Sequence, residues 1–468
     1  FASTAEVTKG RCMVISGSSS NHYYHSDLIY RSFIGALMLT GCVGRNGGGQ
    51  NHYVGQERLA PFDSWGQIAL GADWARPPRL QNTPSYWYIH TQMFKYDDKI
   101  AEYHKVPDAN ALTYEHCADW QCRAVRLGGL PWYPQLTKSP LVVAEEAQKA
   151  GAKTDAEIVS YAVKQLKNGS LQFAVDDPDA PENWPRVWMI WRGNALGSSA
   201  RGQEYFLKFL LGTHHNMDCE EVAKPYIKDM KYRESPLGKL DLIVDLNMRM
   251  NTTPIYSDIV LPAAHWYEKE DINTTDMHSY IHPMGAAVPP NWESKSDWDA
   301  FKFIAKKFSE LATKHLSKPV KDLVMSPLMH DSPGEITQPA IPDVKDWKKG
   351  DCDLIPGVTG PNMSVTTRDY TNVYNRYISL GPLMKGKYGF HNILVDGGPF
   401  YKEYINDPHT PTTEWNGEKY ISLREAKEAC NVVMHFSSLT NGENNYQQWL
   451  IEEHHTGLHG EQYKEAKE

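Results

Sequence analysis

The stretch Lys239–Asp271, KLDLIVDLNMRMNTTPIYSDIVLPAAHWYEKED, decides the fold. Leu242–Leu246 is a short apolar run, a polar segment follows, and Ile259–Leu261 ahead of Pro262 is a second run. Runs of this length, bounded by polar residues and Pro, read as buried strands. The same grammar stands upstream in RVWMIWRGNALGSSARGQEYFLKFLLG, Arg186–Gly212. There the reading is a strand at Val187–Trp191, a Gly/Asn/Ser turn and an amphipathic helix. Near the start, Cys12–Ile15 is a strand that stops at SGSSSN. From Ser26 the residues Ile29, Phe33 and Leu37 recur at helical spacing, and Gly41 provides a C-terminal stop. Repeated strand–polar turn–helix units predict an α/β fold with a parallel, Rossmann-like sheet.

Elsewhere the pattern predicts a helix with a capping box at Thr154 and Glu157, carrying Ile158, Ala162 and Leu166 to a stop at Asn168-Gly169. A second helix, Trp298–Leu316, places Trp298, Phe301, Ala305, Phe308 and Leu311 on one face. We therefore expect an α/β region over 1–317, with an irregular insertion at 60–150. An irregular, Pro/Gly-rich extension over 318–468 follows, with a helix beginning at Ser422–Glu425.

The chain has 468 residues, 41% hydrophobic and 22% charged, with a formal net charge of −9. Those values describe an ordinary globular protein and exclude the basic face that nucleic-acid binding needs. No apolar run reaches the length of a membrane-spanning helix. Seven scattered cysteines make a disulfide framework a poor reading, and the Cys117/Cys122 spacing fits neither zinc ribbons nor cluster motifs, so buried free thiols are expected. The opening FASTAEVTKGRCMVIS lacks an initiator Met and reads as a cut edge of a longer polypeptide.

Ligands of open α/β sheets bind at the carboxyl ends of strands, so the turns there are the candidate sites. Ser16–Asp27, SGSSSNHYYHSD, offers small hydroxyl residues and amide groups ahead of a helix; it reads equally as a phosphate cradle or as a loop in which Ser26 caps the helix. In GCVGRNGGGQNHYVGQE, Gly41–Glu57, the glycines Gly41, Gly44 and Gly47 depart from the dinucleotide spacing and follow a helix. Gly47-Gly48-Gly49 would allow close backbone approach to a ligand, and Arg45 could pair with phosphate. In WRGNALGSS, Trp191–Ser199, Asn194 can read a base edge, or the turn is only a linker. GPLMKGKY, Gly381–Tyr388, fails as a P-loop because Tyr388 replaces the Ser/Thr. The acidic residues Glu268, Glu270, Asp271 and Asp276 read as turn and surface polarity, and the C-terminal histidines as a solvated tail.

Taken together, NHYYHSDLIYRSF, GCVGRNGGGQNHYVGQE, IWRGNALGSS, YSDIVLPAAHWYEKEDINTTDMHSYIHP, KSDWDAFKFIAKKFSE and DVKDWKKGDCDLIPG resemble the catalytic alpha subunit of respiratory nitrate reductases and nitrite oxidoreductases. These are molybdopterin oxidoreductases of the dimethyl sulfoxide reductase type. The resemblance runs from about Arg11 to about Met384 and thins beyond. It implies a molybdenum bis(molybdopterin guanine dinucleotide) cofactor and oxygen-atom transfer between nitrate and nitrite. By this resemblance Ser16, Gly17, Ser18 and Asn21, with Arg45, Gly47, Gly48 and Gly49, hold pterin or phosphate. Gly193, Asn194, Asn247 and Thr253 lie near a guanosine, and His22 and Gly55 face the substrate. The resemblance further implies a [4Fe–4S] cluster in the full-length subunit, whose ligands this sequence lacks. It also lacks the Asp that ligates molybdenum and the C-terminal domain, so this part is expected to be inactive alone. An iron–sulfur electron-transfer beta subunit and a membrane heme or anchor subunit are the implied partners, placing the protein peripheral to the inner membrane. The sequence after GPLM departs from quinol-linked nitrate reductases and favours a nitrite oxidoreductase. The alternatives are a quinol-linked nitrate reductase and, in another class, a cofactor-free α/β scaffold subunit.

Overall fold

The structure, a computed structural model, describes residues 1–16, 26–52, 74–75, 116–129, 134–198, 205–213, 222–233, 238–273, 282–328, 345–390, 393–437 and 440–456. After a first short helix, α1 (Ala2–Val7), strand β1 (Met13–Ser16) runs parallel to β2 (Gly49–His52), in register from Met13↔Gly49 to Ser16↔His52. A parallel pair needs a crossover, and helix α2 (Ser26–Leu39) lies between the two strands in the chain. Gly41 ends α2 at φ +68°, with the Cys42 N–H donating to Leu37 O at 2.9 Å. Leu37 and Cys42 pack with Ala5 against Cys12 and Val14.

Three helices follow: α3 (Cys117–Leu127), α4 (Pro140–Lys149) and α5 (Asp155–Lys167). The capping box at Thr154 and Glu157 forms as expected, and Ile158, Ala162 and Leu166 face inward. Strands β3 (Val187–Trp191), β4 (Leu242–Asn247) and β5 (Ile259–Pro262) make a parallel sheet in that order. On one face Trp188 stacks on Phe206, 5.1 Å between ring centroids, within a core that also holds Phe173, Phe209, Leu323 and Met325. On the other, Leu246 packs with Ala263 and Ala300, and Trp191 meets Phe301 edge-on at 5.3 Å.

The amphipathic helix expected after β3 differs: the described residues hold a four-residue helix, α6 (Ala195–Ser198), and a π-helical segment, Tyr205–Leu210. Residues 199–204, between these two segments, lie outside the described residues. A second four-residue helix, α7 (Thr252–Ile255), leads from β4 towards β5.

Helix α8 (Asp297–His315) starts one residue earlier than predicted because the Ser296 hydroxyl caps it, accepting from the Asp299 N–H at 3.1 Å. Ala305 is buried, but Phe308 and Leu311 are 41% and 44% exposed. In that half the helix packs through Ala312 and Ser309, whose hydroxyl accepts from the Tyr374 N–H at 2.8 Å.

Regular structure continues past residue 317. Strand β6 (Val320–Ser326) pairs antiparallel with β7 (Asn362–Arg368) over seven residue pairs, and Leu323 and Met325 enter the main core. Buried Asp322 accepts from Arg368 Nε at 2.5 Å, and this charge inside a strand is what disguised it in the sequence. A second core gathers Leu380, Met384, Tyr388, Phe400, Ile421, Val432 and Phe436. The helix expected near Ser422–Glu425 spans Ala426–Phe436, capped by Glu425.

Candidate cofactor-binding site

At the carboxyl end of β3, the Arg192 N–H donates to Leu246 O of β4 at 2.9 Å, one step beyond the strand. Arg192 then takes φ +57°, a left-handed conformation that costs a non-glycine residue about 1–2 kcal/mol. Its guanidinium bends back onto the Asp297 carboxylate, with Nε at 2.7 Å and Nη2 at 2.5 Å, and Nη2 also donates to Ala264 O at 3.3 Å. Asp297 accepts further bonds from Trp191 Nε1 at 2.8 Å and Lys269 Nζ at 2.9 Å. Burial pushes this carboxyl up, but the bonds from Trp191 and Lys269 and the charges of Lys269 and Arg192 outweigh it, so it stays below the usual carboxylate range. The Trp266 ring lies under both cations, 4.9 Å from Arg192 and 4.5 Å from Lys269.

Beyond Arg192 the four residues expected near a guanosine converge. Thr253, 1% exposed, donates its hydroxyl to Asn194 Oδ1 at 3.1 Å and accepts from the Leu196 N–H at 3.1 Å. Asn251 fixes Thr253 by accepting from its N–H at 3.1 Å. Asn247 donates through Nδ2 to Gly193 O at 3.4 Å and to Asp245 Oδ1 at 3.3 Å, while its Oδ1 accepts from the Arg249 N–H. Gly197 leaves room for this arrangement: a Cβ there would lie 2.4 Å from Asn194 Nδ2. Asp245 is fully buried, with Oδ2 unpartnered among the described residues; burial raises its pKa, opposed by the Asn247 bond.

The network leaves two backbone donors unused. Among the described residues, the N–H groups of Gly193 and Ala195, both partly exposed, make no hydrogen bond within the chain. Two open N–H groups just past the carboxyl end of β3, backed by amide and hydroxyl side chains, fit a ligand that presents phosphate or carbonyl oxygens.

The second group of expected residues lies on β1 and β2. Ser16, 4% exposed, ends β1 and accepts from Gln50 Nε2 at 3.3 Å. Gly49 pairs with Met13 at the opposite end of the same two strands, so the Gly47–Gly49 loop sits roughly 10 Å from Ser16 along the strand direction. The need for glycine there lies within the chain itself: a Cβ on Gly48 would meet both Cys42 O and Gly10 O at 2.4 Å. Gly47 and Gly49 take φ +84° and +99° with little crowding, and Arg45 is exposed. Gly17, Ser18, Asn21, His22 and Gly55 lie outside the described residues.

The acidic residues Glu268, Glu270 and Asp271 bond to neighbouring groups of the chain, and Asp276 lies outside the described residues. Glu268 accepts from the His265 N–H at 2.9 Å, Glu270 from the Ala286 N–H at 3.3 Å, and Asp271 pairs with Lys269 at 2.5 Å. Cys122 is buried and free, its Sγ donating to Val175 O at 3.3 Å. Among the described residues, no group of three or more His, Cys, Asp or Glu is placed to hold a metal ion.

Sequence reasoning missed Asp297 and Lys269 as supports of the site, and assigned Arg192 no part. The signal was faint: Arg192 stood in the quoted turn, but nothing in local spacing links it to a carboxylate 105 positions away.

Residues 6–307 match the Molybdopterin oxidoreductase family, and the chain belongs to it. The chain is 43% identical over 464 residues to the respiratory nitrate reductase 1 alpha chain of Escherichia coli, covering 98% of this chain and 36% of that protein. It is 40% identical to the nitrate reductase alpha chain of Bacillus subtilis, covering 100% of this chain and 38% of that one. A more distant relative is the perchlorate reductase alpha subunit of Dechloromonas aromatica, 30% identical over 64% of this chain and 23% of that subunit. The chain thus spans little more than a third of the length of the nitrate reductase chains it matches most extensively.

Proposed function

We propose that this chain is part of the catalytic alpha subunit of a molybdenum enzyme that interconverts nitrate and nitrite. In this reading the β3–β4 strand ends hold the guanosine and phosphate portion of a molybdopterin guanine dinucleotide. The observation behind it is the convergence of Gly193, Asn194, Asn247 and Thr253 at the carboxyl end of a parallel sheet, inside the region that matches the family. The Gly193 and Ala195 N–H groups bind phosphate or carbonyl oxygens. Asn247 and Thr253 hold the turn that presents them, and Asn194, tied to Thr253, presents its amide edge to the base. Ser16 ends a second strand towards the same cofactor, and the Gly47–Gly49 loop with Arg45 sets the start of β2. His22 and Gly55 are assigned to the substrate side by the resemblance alone.

When bound, the molybdenum centre supplies two-electron oxygen-atom exchange, and the chain supplies position and electrostatics. The matches to nitrate reductase chains run over 98–100% of this chain, and one site serves both directions of oxygen-atom exchange. We therefore assign the nitrate/nitrite couple rather than a direction. Electrons pass through a [4Fe–4S] cluster of the full-length subunit to an iron–sulfur beta subunit and a membrane heme or anchor subunit. This places the enzyme peripheral to the membrane; among the described residues no helix is long and apolar enough to cross one.

The test is metal and nucleotide analysis of the full-length native protein. Molybdenum together with guanine nucleotide released by acid supports the reading. A folded protein holding neither is a cofactor-free α/β scaffold, and the reading fails.

A further inference from the structure

Five non-glycine residues take positive φ among the described residues: Lys9, Trp74, Arg192, Trp292 and Asn416. Arg192 alone of these stands at the end of a parallel strand, immediately before the turn that carries the open N–H groups. Its side chain is committed to Asp297 through Nε and Nη2. Asp297 in turn joins three parts of the fold. It opens α8, takes Trp191 and Arg192 from the end of β3, and takes Lys269 from the segment after β5. A backbone outlier held by a carboxylate that accepts from three residues is over-determined, and strain of that kind points to a role for the geometry it imposes.

We propose that Asp297, acting through Arg192, is a positioning residue. It holds the left-handed turn that leaves the Gly193 and Ala195 N–H groups open, and so sets how tightly the guanosine–phosphate end of the cofactor is retained. This rests on the function proposed above. The side chain matters here through the backbone conformation it enforces, not through its charge towards the ligand. Glycine adopts positive φ without the Cβ penalty, so it replaces the clamp where alanine does not.

The experiment uses the full-length subunit in its native complex, with pterin and guanine nucleotide per polypeptide measured after gel filtration and thermal unfolding measured alongside. Arg192→Ala and Asp297→Asn are expected to retain about tenfold less cofactor, the order set by the conformational preference of a non-glycine residue. Arg192→Gly is expected to stay within about threefold of the parent, because its backbone needs no clamp. In the Arg192→Gly background, Asp297→Asn should remove no further cofactor, a comparison that holds even if the alanine variant does not accumulate. Full retention in Arg192→Ala, equal loss in the glycine and alanine variants, or an added loss in the double variant overturns the proposal. A parent complex without pterin overturns instead the function on which it rests.

Discussion

The two turns that carry the expected site residues reach unusual backbone conformations by opposite means. The loop Gly41–Gly49 places four glycines at positive φ (Gly41, Gly44, Gly47 and Gly49) and packs the remaining one, Gly48, against the Cys42 and Gly10 carbonyls. The turn after β3 instead puts an arginine at φ +57° and secures it with Asp297, Trp191 and Lys269 close by. A glycine-dense stretch draws the eye as a ligand cradle, yet the chain's own crowding explains Gly48 in full. The turn with a single strained arginine is the one that leaves N–H groups open. Glycine density reports where backbone meets backbone; a clamped non-glycine outlier reports where geometry is being held for something else.

The largest expected effect tests the first half of that contrast. Gly48→Ala forces a Cβ to within 2.4 Å of two carbonyl oxygens, and urea unfolding should show a loss of about 2–4 kcal/mol. A cost near zero would break the view that the loop's tightest glycine serves internal packing. Next, Thr253→Val strands the Leu196 N–H and Asn194 Oδ1 at a site 1% exposed, with an expected loss of about 1–3 kcal/mol and weaker cofactor retention. If stability falls but retention is unchanged, the polar network supports the sheet and not the ligand. Smaller still is Gly44→Ala. No atom lies within 4 Å of the added Cβ, so only the φ of +73° penalises it, by about 1 kcal/mol in the same unfolding assay. Equal costs at Gly44 and Gly48 would show that conformation, not crowding, accounts for both.

The smallest effect concerns the carboxylates on either side of the strand ends. Asp245 is buried with an unpartnered oxygen and a raised pKa, so its charged form is disfavoured only in the native state. Below about pH 4 both folded and unfolded forms are protonated, and Asp245→Asn should change little. As pH rises the unfolded carboxyl ionises first, the parent loses stability, and the asparagine variant becomes the more stable at neutral pH. Asp297 has the opposite sign: its depressed pKa makes its contribution present above about pH 4 and lost as pH falls through the folded value. Unfolding midpoints across pH for both Asn variants check the two signs together.

Much of this fold was legible residue by residue. The runs at Val187–Trp191, Leu242–Leu246 and Ile259–Leu261 became strands because apolar, β-branched segments bounded by polar turns have one good way to be buried. The Thr154/Glu157 cap formed because it satisfies the helix's own N–H groups locally. Strands β6 and β7 were not legible, because the charge of Asp322 hides the apolar pattern until Arg368, 46 positions away, neutralises it. The exposure of Phe308 and Leu311 was equally hidden, since helical spacing defines a face but not what packs against it.

At the site the division follows the same physics. The sequence by itself determined the parallel strand–turn–helix grammar and the polar residues at each strand end, because propensity, turn chemistry and burial act over a few neighbouring positions. Only the tertiary structure decided how Gly193, Asn194, Asn247 and Thr253 bond to one another, and that the Gly47–Gly49 loop starts its strand pair at the far end. It alone joined Arg192 to a carboxylate 105 residues away. Hydrogen bonds and ion pairs depend on distance in space, and local spacing carries no record of which distant segments fold to within 3 Å of each other.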